Sequence, residues 1–158
     1  MSSLDPTQLI RAKRLGVAEG SAYALMVGMG ETYFLACAVR LGASAIEIGW
    51  LVSLPLFLGA LGPLSALAAL SVLRRRKVWA VGAATLQATL LLVLAFVDRS
   101  GRLGVPALIA FACLHQIAGM STGTAWSSWF GDAIPEAERG RYFAHRIRWV
   151  QTSTVVGL

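Results

Sequence analysis

Glu31 is the residue whose type and position most directly suggest chemistry, because it interrupts the apolar stretch Gly20–Val39. An ionised acid near the middle of a membrane-spanning helix costs on the order of 2.5–3.5 kcal/mol, so such residues usually face a bundle interior, a partner or a water-filled cavity. A carboxyl group held there can bind and release a proton as its surroundings change. Glu31 is therefore predicted to carry a proton or contact a solute; the structural alternative is a hydrogen bond to a neighbouring helix.

His115, Gln116 and Gln87 are polar side chains predicted to lie within apolar helices. Histidine titrates near neutral pH and suits a proton relay, whereas a neutral histidine bonded to a neighbouring backbone or hydroxyl group is the structural alternative. Gln87 is better suited to hydrogen bonding between helices than to binding a ligand. Together with Glu31, these three residues are the candidates for a cavity that binds a solute or protons.

The remaining reactive side chains form no pattern typical of catalysis or metal binding. The sequence has two cysteines, Cys37 and Cys113, and two histidines, His115 and His145. Their spacing matches neither a zinc site nor a disulfide framework. A membrane enzyme would need paired acids or a cluster of His, Asp and Cys at one depth, so we predict no catalytic residue, no metal site and no cofactor.

The elements that must position the candidates are four stretches without charge, apart from Glu31: Gly20–Val39, Ile48–Leu73, Val78–Val97 and Leu103–Gly131. About 20 helical residues cross a hydrocarbon core about 30 Å thick, and each stretch is long enough. Only 14% of the residues are charged and 56% are hydrophobic, and a soluble fold would have too little surface to solvate. We therefore predict an all-α integral membrane protein, a polytopic bundle of transmembrane helices.

The basic residues alternate with these stretches, so the formal net charge of +6 does not indicate a nucleic-acid partner. Three groups hold most of them: Arg11, Lys13 and Arg14; Arg74–Lys77; and Arg139, Arg141, Arg146 and Arg148. Basic residues in short loops mark the cytoplasmic side of a membrane. The amino terminus and the connections after the second and fourth spans are therefore predicted to be cytoplasmic.

Small residues at four-residue spacing predict close contacts between helices. In and before the first span they are Gly16, Gly20, Ala24, Gly28 and Thr32, and in the fourth span Gly119 and Gly123. A stripe of small residues lets another helix approach closely but is silent about substrate. Glu19, near the cytoplasmic end of the first span, is predicted to pair with loop arginines.

The pattern divides the chain into residues 1–15, a cytoplasmic arm; 16–131, a four-span bundle; 132–148, a cytoplasmic loop; and 149–158, the start of a truncated fifth span. The loop carries opposite charges, Asp132, Glu136, Arg139 and Arg141. Such a cluster can latch two helices together at a membrane surface, or it can simply solvate the loop.

One segment resembles bacterial transporters of the major facilitator superfamily. It runs from Trp126-Ser127-Ser128-Trp129-Phe130-Gly131-Asp132 through Pro135 to Arg139-Gly140-Arg141-Tyr142-Phe143. In that family the loop between the fourth and fifth spans commonly carries an acid, a proline and an Arg-Gly-Arg pattern. The resemblance implies a multi-pass protein of the bacterial inner membrane, of which this chain would be part of the amino-terminal half. It also implies that the first and fourth spans line a central cavity.

The resulting functional prediction is a secondary active transporter that moves a small solute by alternating access. Its predicted partners are the lipid bilayer, the solute, protons as a further hypothesis, and the remaining spans of a longer chain. In many proton-driven members of the family an arginine stands where this chain has His115, four residues before Gly119, so proton coupling is a hypothesis. The alternatives are a complete four-helix exporter that works as a dimer and a membrane scaffold or assembly subunit without transport activity.

Overall fold

The computed structural model describes residues 5–73 and 76–158, and within those residues every regular element is helical. The elements are α1 (Pro6–Met26), a π-helix (Val27–Glu31), α2 (Tyr33–Arg40), α3 (Ala45–Gly59), α4 (Leu61–Leu73), α5 (Arg76–Arg99), α6 (Val105–Ala133) and α7 (Glu136–Gly157). The predicted all-α class is confirmed for this part of the chain.

Four helical stretches are long and apolar enough to cross a membrane: Thr7–Arg40, Ala45–Ala68, Arg76–Arg99 and Val105–Ala133. They follow the order of the four uncharged runs, so the prediction of four such helices is confirmed. Large apolar side chains on them are exposed, with Phe57 76% and Phe96 75% accessible. In water this exposure would be costly, whereas lipid tails solvate such side chains.

Helix α1 begins at Pro6, within the residues 1–15 that were predicted to form a cytoplasmic arm. Proline suits the first position of a helix, where its fixed φ is already helical and its missing N–H is not needed. The turn predicted at Arg74–Lys77 lies in part at Arg74 and Arg75, outside the described residues.

The segment 132–148, predicted as a loop, is mostly helical. Only Ile134 and Pro135 separate α6 from α7, and α7 continues through the predicted boundary at residue 149. Glu136 and Glu138 lie in the first turn of α7, where negative charge interacts favourably with the helix dipole. The polar composition of this segment therefore reflects an exposed helix rather than irregular structure.

Two interruptions divide the apolar helices. The π-helix Val27–Glu31 separates α1 from α2. The second interruption is at Ala60, between α3 and α4. Pro63 has no backbone N–H to donate to the carbonyl of Gly59, four residues earlier, which accounts for a break at this place.

Two short connections carry the glycines that need a positive φ, Gly42 at 76° and Gly101 at 69°. Ser44 caps α3: its Oγ accepts from the N–H of Glu47 at 3.3 Å, and its own N–H donates to the Glu47 carboxylate at 2.8 Å. Arg40 and Asp98 form an ion pair that joins the end of α2 to the end of α5.

The chain divides into two compact units. One consists of residues up to Tyr33 together with Phe130–Leu158, and the other is Phe34–Trp129. The core of the second unit is a cluster of buried aliphatic side chains: Ala38, Leu51, Leu94, Leu103, Leu108 and Ala112.

In the first unit, α1 packs closely along α7 through the stripe of small residues. A Cβ on Gly20 would lie 2.6 Å from Nη2 of Arg146, and one on Gly28 would lie 2.6 Å from the carbonyl oxygen of Thr154. Ala24, between them, is buried. The partner of this stripe is therefore α7. Its backbone and side chains can come this close because the glycines of the stripe have no side chain.

We predict that Gly28→Ala destabilises the protein, because the added methyl group meets backbone rather than a flexible side chain. Overpacking of this kind costs about 1–3 kcal/mol. Gly82→Ala is the matched control: Gly82 lies inside α5, and no described atom is within 4 Å of an added Cβ. Alanine there should leave stability unchanged or raise it, since alanine favours a helix over glycine by about 1 kcal/mol. Thermal unfolding of the purified variants in detergent measures both effects, and equal melting temperatures for the two would contradict the packing described here.

Candidate functional site

Glu31 is the last residue of the π-helix and is partly buried. A π-helical turn holds one more residue than an α-helical turn, so the side chains that follow it are displaced around the helix axis. The side chain of Thr32 spans this wider turn: its Oγ1 lies 3.5 Å from the carbonyl oxygen of Val27, five residues earlier. Such turns are rare and are frequently found at functional sites. Glu31, the acidic candidate, thus lies in the only π-helix among the described residues.

His115 and Gln87 form a buried polar pair between α6 and α5. Their side chains are 1% and 2% exposed, and Nε2 of Gln87 lies 3.1 Å from Nε2 of His115. Phe34 of α2 packs its ring edge against the imidazole, with ring centroids 5.8 Å apart at 84°. Polar side chains inside a helix bundle need such partners, because no water replaces a missing hydrogen bond.

The direction of this hydrogen bond constrains the chemistry of His115. Both groups can donate or accept, so the roles in this hydrogen bond depend on the tautomer of His115. An imidazole that carries its proton on Nε2 needs the amide oxygen as acceptor, whereas one that carries it on Nδ1 accepts from the amide NH2. The pair can act as a two-state polar element, or it can hold α5 and α6 together.

Gln116, next to His115, is directed toward a different helix. Its Cγ lies 2.9 Å from the position of a Cβ on Gly59, at the end of α3. The structure therefore brings Gln87 and His115 together and places Gln116 against α3. Glu31 belongs to the other compact unit.

Ser121 is a buried residue that the sequence analysis did not identify. The indole Nε1 of Trp79 in α5 donates to its Oγ at 2.8 Å, and Oγ of Ser65 in α4 lies 3.1 Å away. On the same side of α4, a Cβ on Gly62 would lie 2.6 Å from Cβ of Met120. The spacing of Gly59, Gly62 and Ser65 was the available signal, since it is a second stripe of small residues.

The two glycines predicted to form a packing pair in α6 differ in their surroundings. Gly119 is buried, whereas Gly123 is exposed, and no described atom lies within 4 Å of a Cβ added to it. Within the described part of the chain, the close approach to α6 is thus made by glycines of α3 and α4.

The charge cluster predicted at residues 132–141 is exposed. Asp132, Glu136 and Arg141 are exposed side chains, and Nε of Arg139 donates to the carbonyl oxygen of Ile134 at 2.9 Å. That bond satisfies a carbonyl at the junction of α6 and α7, which is a capping role. Arg139 therefore stabilises a helix end.

The ion pairs between α7 and α1 involve other residues. Arg146 lies 3.1 Å from the carboxylate of Glu19 and also donates to the carbonyl oxygen of Gly16 at 3.1 Å. Lys13 pairs with Glu138. The prediction that Glu19 pairs with loop arginines is confirmed, and Arg146 is the partner. Gly20 makes room for that guanidinium, a role that spacing alone does not reveal.

Among residues 5–73 and 76–158, no three His, Cys, Asp or Glu side chains are grouped so that they could hold a metal ion. The candidate polar groups are a carboxyl at the π-helix of the first unit and, separately, an amide–imidazole pair in the second unit.

We predict that Gln87 and His115 are energetically coupled. In a double-mutant cycle with Gln87→Leu and His115→Phe, the coupling should be about 0.6–1.7 kcal/mol, the range found for hydrogen bonds between helices in membranes. A cycle of Gln87→Leu with Gln116→Leu is the control and should give a coupling within about 0.5 kcal/mol of zero. Unfolding free energies in detergent supply both values. Equal coupling in the two cycles would show that the bond between the amide and the imidazole contributes nothing specific.

Comparison with known proteins finds no matching family model, no matching curated protein and no matching solved structure. A function is therefore argued from the residues and geometry of this chain.

Proposed function

We propose that this chain is part of the amino-terminal half of a secondary active transporter of the major facilitator type, which moves a small solute across a membrane by alternating access. The observation that carries the proposal is Glu31, an acid within the span-length helix Thr7–Arg40 and at the end of its π-helix. Acids in such helices are costly and typically mark pathways for ions or substrates.

The backbone around Glu31 supports a moving part at this position. The π-helix contains Gly28 and Gly30, and glycine lowers the cost of changing backbone dihedrals. A helix that can shift between π and α hydrogen bonding changes the direction of Glu31 without unfolding. Alternating access needs such local rearrangements, because a solute site must face each side of the membrane in turn.

The Gln87–His115 pair supports proton coupling as part of the proposal. Histidine is the side chain whose charge changes near neutral pH, and here its Nε2 is engaged by an amide that can present either a donor or an acceptor. Protonation of the ring and rotation of the amide are therefore linked. A transporter can use such a linkage to couple proton uptake to a change in helix packing.

The resemblance of residues 126–143 to the major facilitator superfamily supports the proposed class and its orientation. Under this proposal the amino terminus is cytoplasmic, the membrane is the bacterial inner membrane, and the remaining spans of a longer chain complete the cavity. The alternation of basic residues along the sequence supports the same orientation.

The direct test is the reactivity and function of Glu31. Dicyclohexylcarbodiimide, an apolar reagent for protonated carboxyl groups, should modify Glu31. It should leave Glu47 unmodified, because the carboxylate of Glu47 accepts a hydrogen bond from Ser44 at the start of a helix. In vesicles that hold the full-length protein and a pH-sensitive dye, Glu31→Gln should lower solute-dependent proton movement at least tenfold, since an amide cannot take up and release a proton as a carboxyl group does. Glu47→Gln is the control and should act like the parent protein. Unchanged proton movement in Glu31→Gln would contradict a transport role for this acid, and a stable protein that moves no solute would favour the scaffold.

Orientation gives an independent prediction. In a variant without Cys37 and Cys113, a cysteine at Ser100 should react with a membrane-impermeant maleimide in intact cells, because Ser100 is exposed in the connection between α5 and α6. A cysteine at Gly140, which is also exposed, should react only after the cells are opened. Labelling of both cysteines from outside would contradict a spanning α6, and the reverse pattern would contradict the proposed orientation.

A further inference from the structure

A groove of about 960 Å³ lies between the amino-terminal half of α1 and the first half of α7. Four cationic side chains line it: Lys13, Arg14, Arg141 and Arg148. Apolar side chains, among them Ile10, Val17 and Trp149, line it as well. The groove thus combines a cationic part with an apolar part, and none of the functions argued above uses it.

Three of the four cations are not neutralised. Glu138 is the acid that lines the groove, and it pairs with Lys13. Within the described residues, Arg14, Arg141 and Arg148 form no ion pair. Guanidinium groups gathered in one groove repel each other, so an anion that contacts all three would be bound favourably. Phosphate suits this arrangement because its oxygens accept paired hydrogen bonds from a guanidinium fork.

Tyr142 points to a ligand independently of the charges. Its side chain is 6% exposed and stacks on Phe130, with ring centroids 5.5 Å apart at 22°. Tyr142 is among the residues that line the groove, and its hydroxyl, buried beside Gly16, has no hydrogen-bond partner among the described residues. Burial raises the pKa of this hydroxyl, so it stays protonated and can donate. A buried donor without a partner is unfavourable unless a ligand supplies an acceptor.

The position of the groove favours the phosphate of a lipid over free phosphate. Its α1 residues lie at the start of the span-length helix Thr7–Arg40, where lipid headgroups meet the hydrocarbon core. Tryptophan is enriched at this level of a membrane, which fits Trp149. Basic pockets between helices at a membrane surface bind anionic headgroups. A ligand with a phosphate and an acyl chain satisfies both parts of the groove, whereas free phosphate satisfies one.

We infer that this groove binds the headgroup of an anionic phospholipid, with Arg14, Arg141 and Arg148 holding the phosphate and the Tyr142 hydroxyl donating to it. The apolar residues Ile10 and Trp149 contact the first part of the acyl chains. This inference does not rest on the proposed transport function. A lipid bound here would join α1 to α7 beside the contacts of Arg146 and Lys13.

The test measures lipid binding by the protein in phosphatidylcholine nanodiscs that contain a small fraction of phosphatidylglycerol. Retention of each lipid after extraction into detergent is read by native mass spectrometry. We expect phosphatidylglycerol to be retained over phosphatidylcholine, and the variant Arg14→Gln/Arg141→Gln/Arg148→Gln to bind phosphatidylglycerol roughly 100-fold more weakly, about fivefold for each cation. Arg99→Gln/Arg102→Gln removes exposed cations that are not among the groove's lining residues and should retain the parent's preference.

The variant Tyr142→Phe distinguishes lipid binding in the groove from a general attraction of the basic protein to anionic lipid surfaces. It keeps the ring and the net charge, yet it should weaken retention of phosphatidylglycerol about tenfold through the lost hydrogen bond. The three single arginine variants give the same comparison if the triple variant does not fold, which helix content by circular dichroism reveals. Equal retention of the two lipids, or parent-like retention in both the arginine and Tyr142→Phe variants, would overturn the inference. Displacement of phosphatidylglycerol by millimolar inorganic phosphate would assign the groove to a soluble phosphate instead.

Discussion

Backbone amides and carbonyls of a membrane-spanning segment must find their partners within the protein, and the described part of this chain meets that constraint with helices throughout. The departures from regular α-helix are therefore informative. Pro63 and Gly59 account for the break at Ala60, whereas the π-helix Val27–Glu31 needs no proline and ends at an acid. The same constraint makes an irregular turn costly unless neighbouring groups compensate for it, so the coincidence of the π-helix with Glu31 carries the functional proposal.

Glycine permits the close contacts in both compact units. In the first, Gly20 of α1 and Gly28 of the π-helix face α7; in the second, Gly59 and Gly62 face α6. Each contact is accompanied by polar groups that hold the helices in register. Arg146 bonds to both Glu19 and the backbone of α1, and Ser121 receives the indole N–H of Trp79. Dispersion between close backbones and a few buried hydrogen bonds stabilise such packing where lipid offers no hydrophobic driving force.

The polar side chains of the chain fall into different roles once their partners are known. Arg139 bonds to a carbonyl at a helix junction, and Arg146 joins two helices, so both are structural. His115 and Gln87 form a buried hydrogen-bonded pair, which joins α6 to α5. Arg14, Arg141 and Arg148, which form no ion pair among the described residues, line one groove.

The sequence by itself determined the helical class, the four span-length helices and the stripe of small residues on α1, because hydropathy and spacing are properties of a single segment. It also placed Glu31 within a span and linked Glu19 to loop arginines. It did not determine that residues 136–148 are helical, since exposed helices and loops share a polar composition. The partners of Ser121, Gln87 and His115, the π-helix, and the groove that gathers Arg14 with Arg148 were decided only by the tertiary structure. Those features depend on which faces of distant segments meet, and no local pattern in the chain encodes that choice.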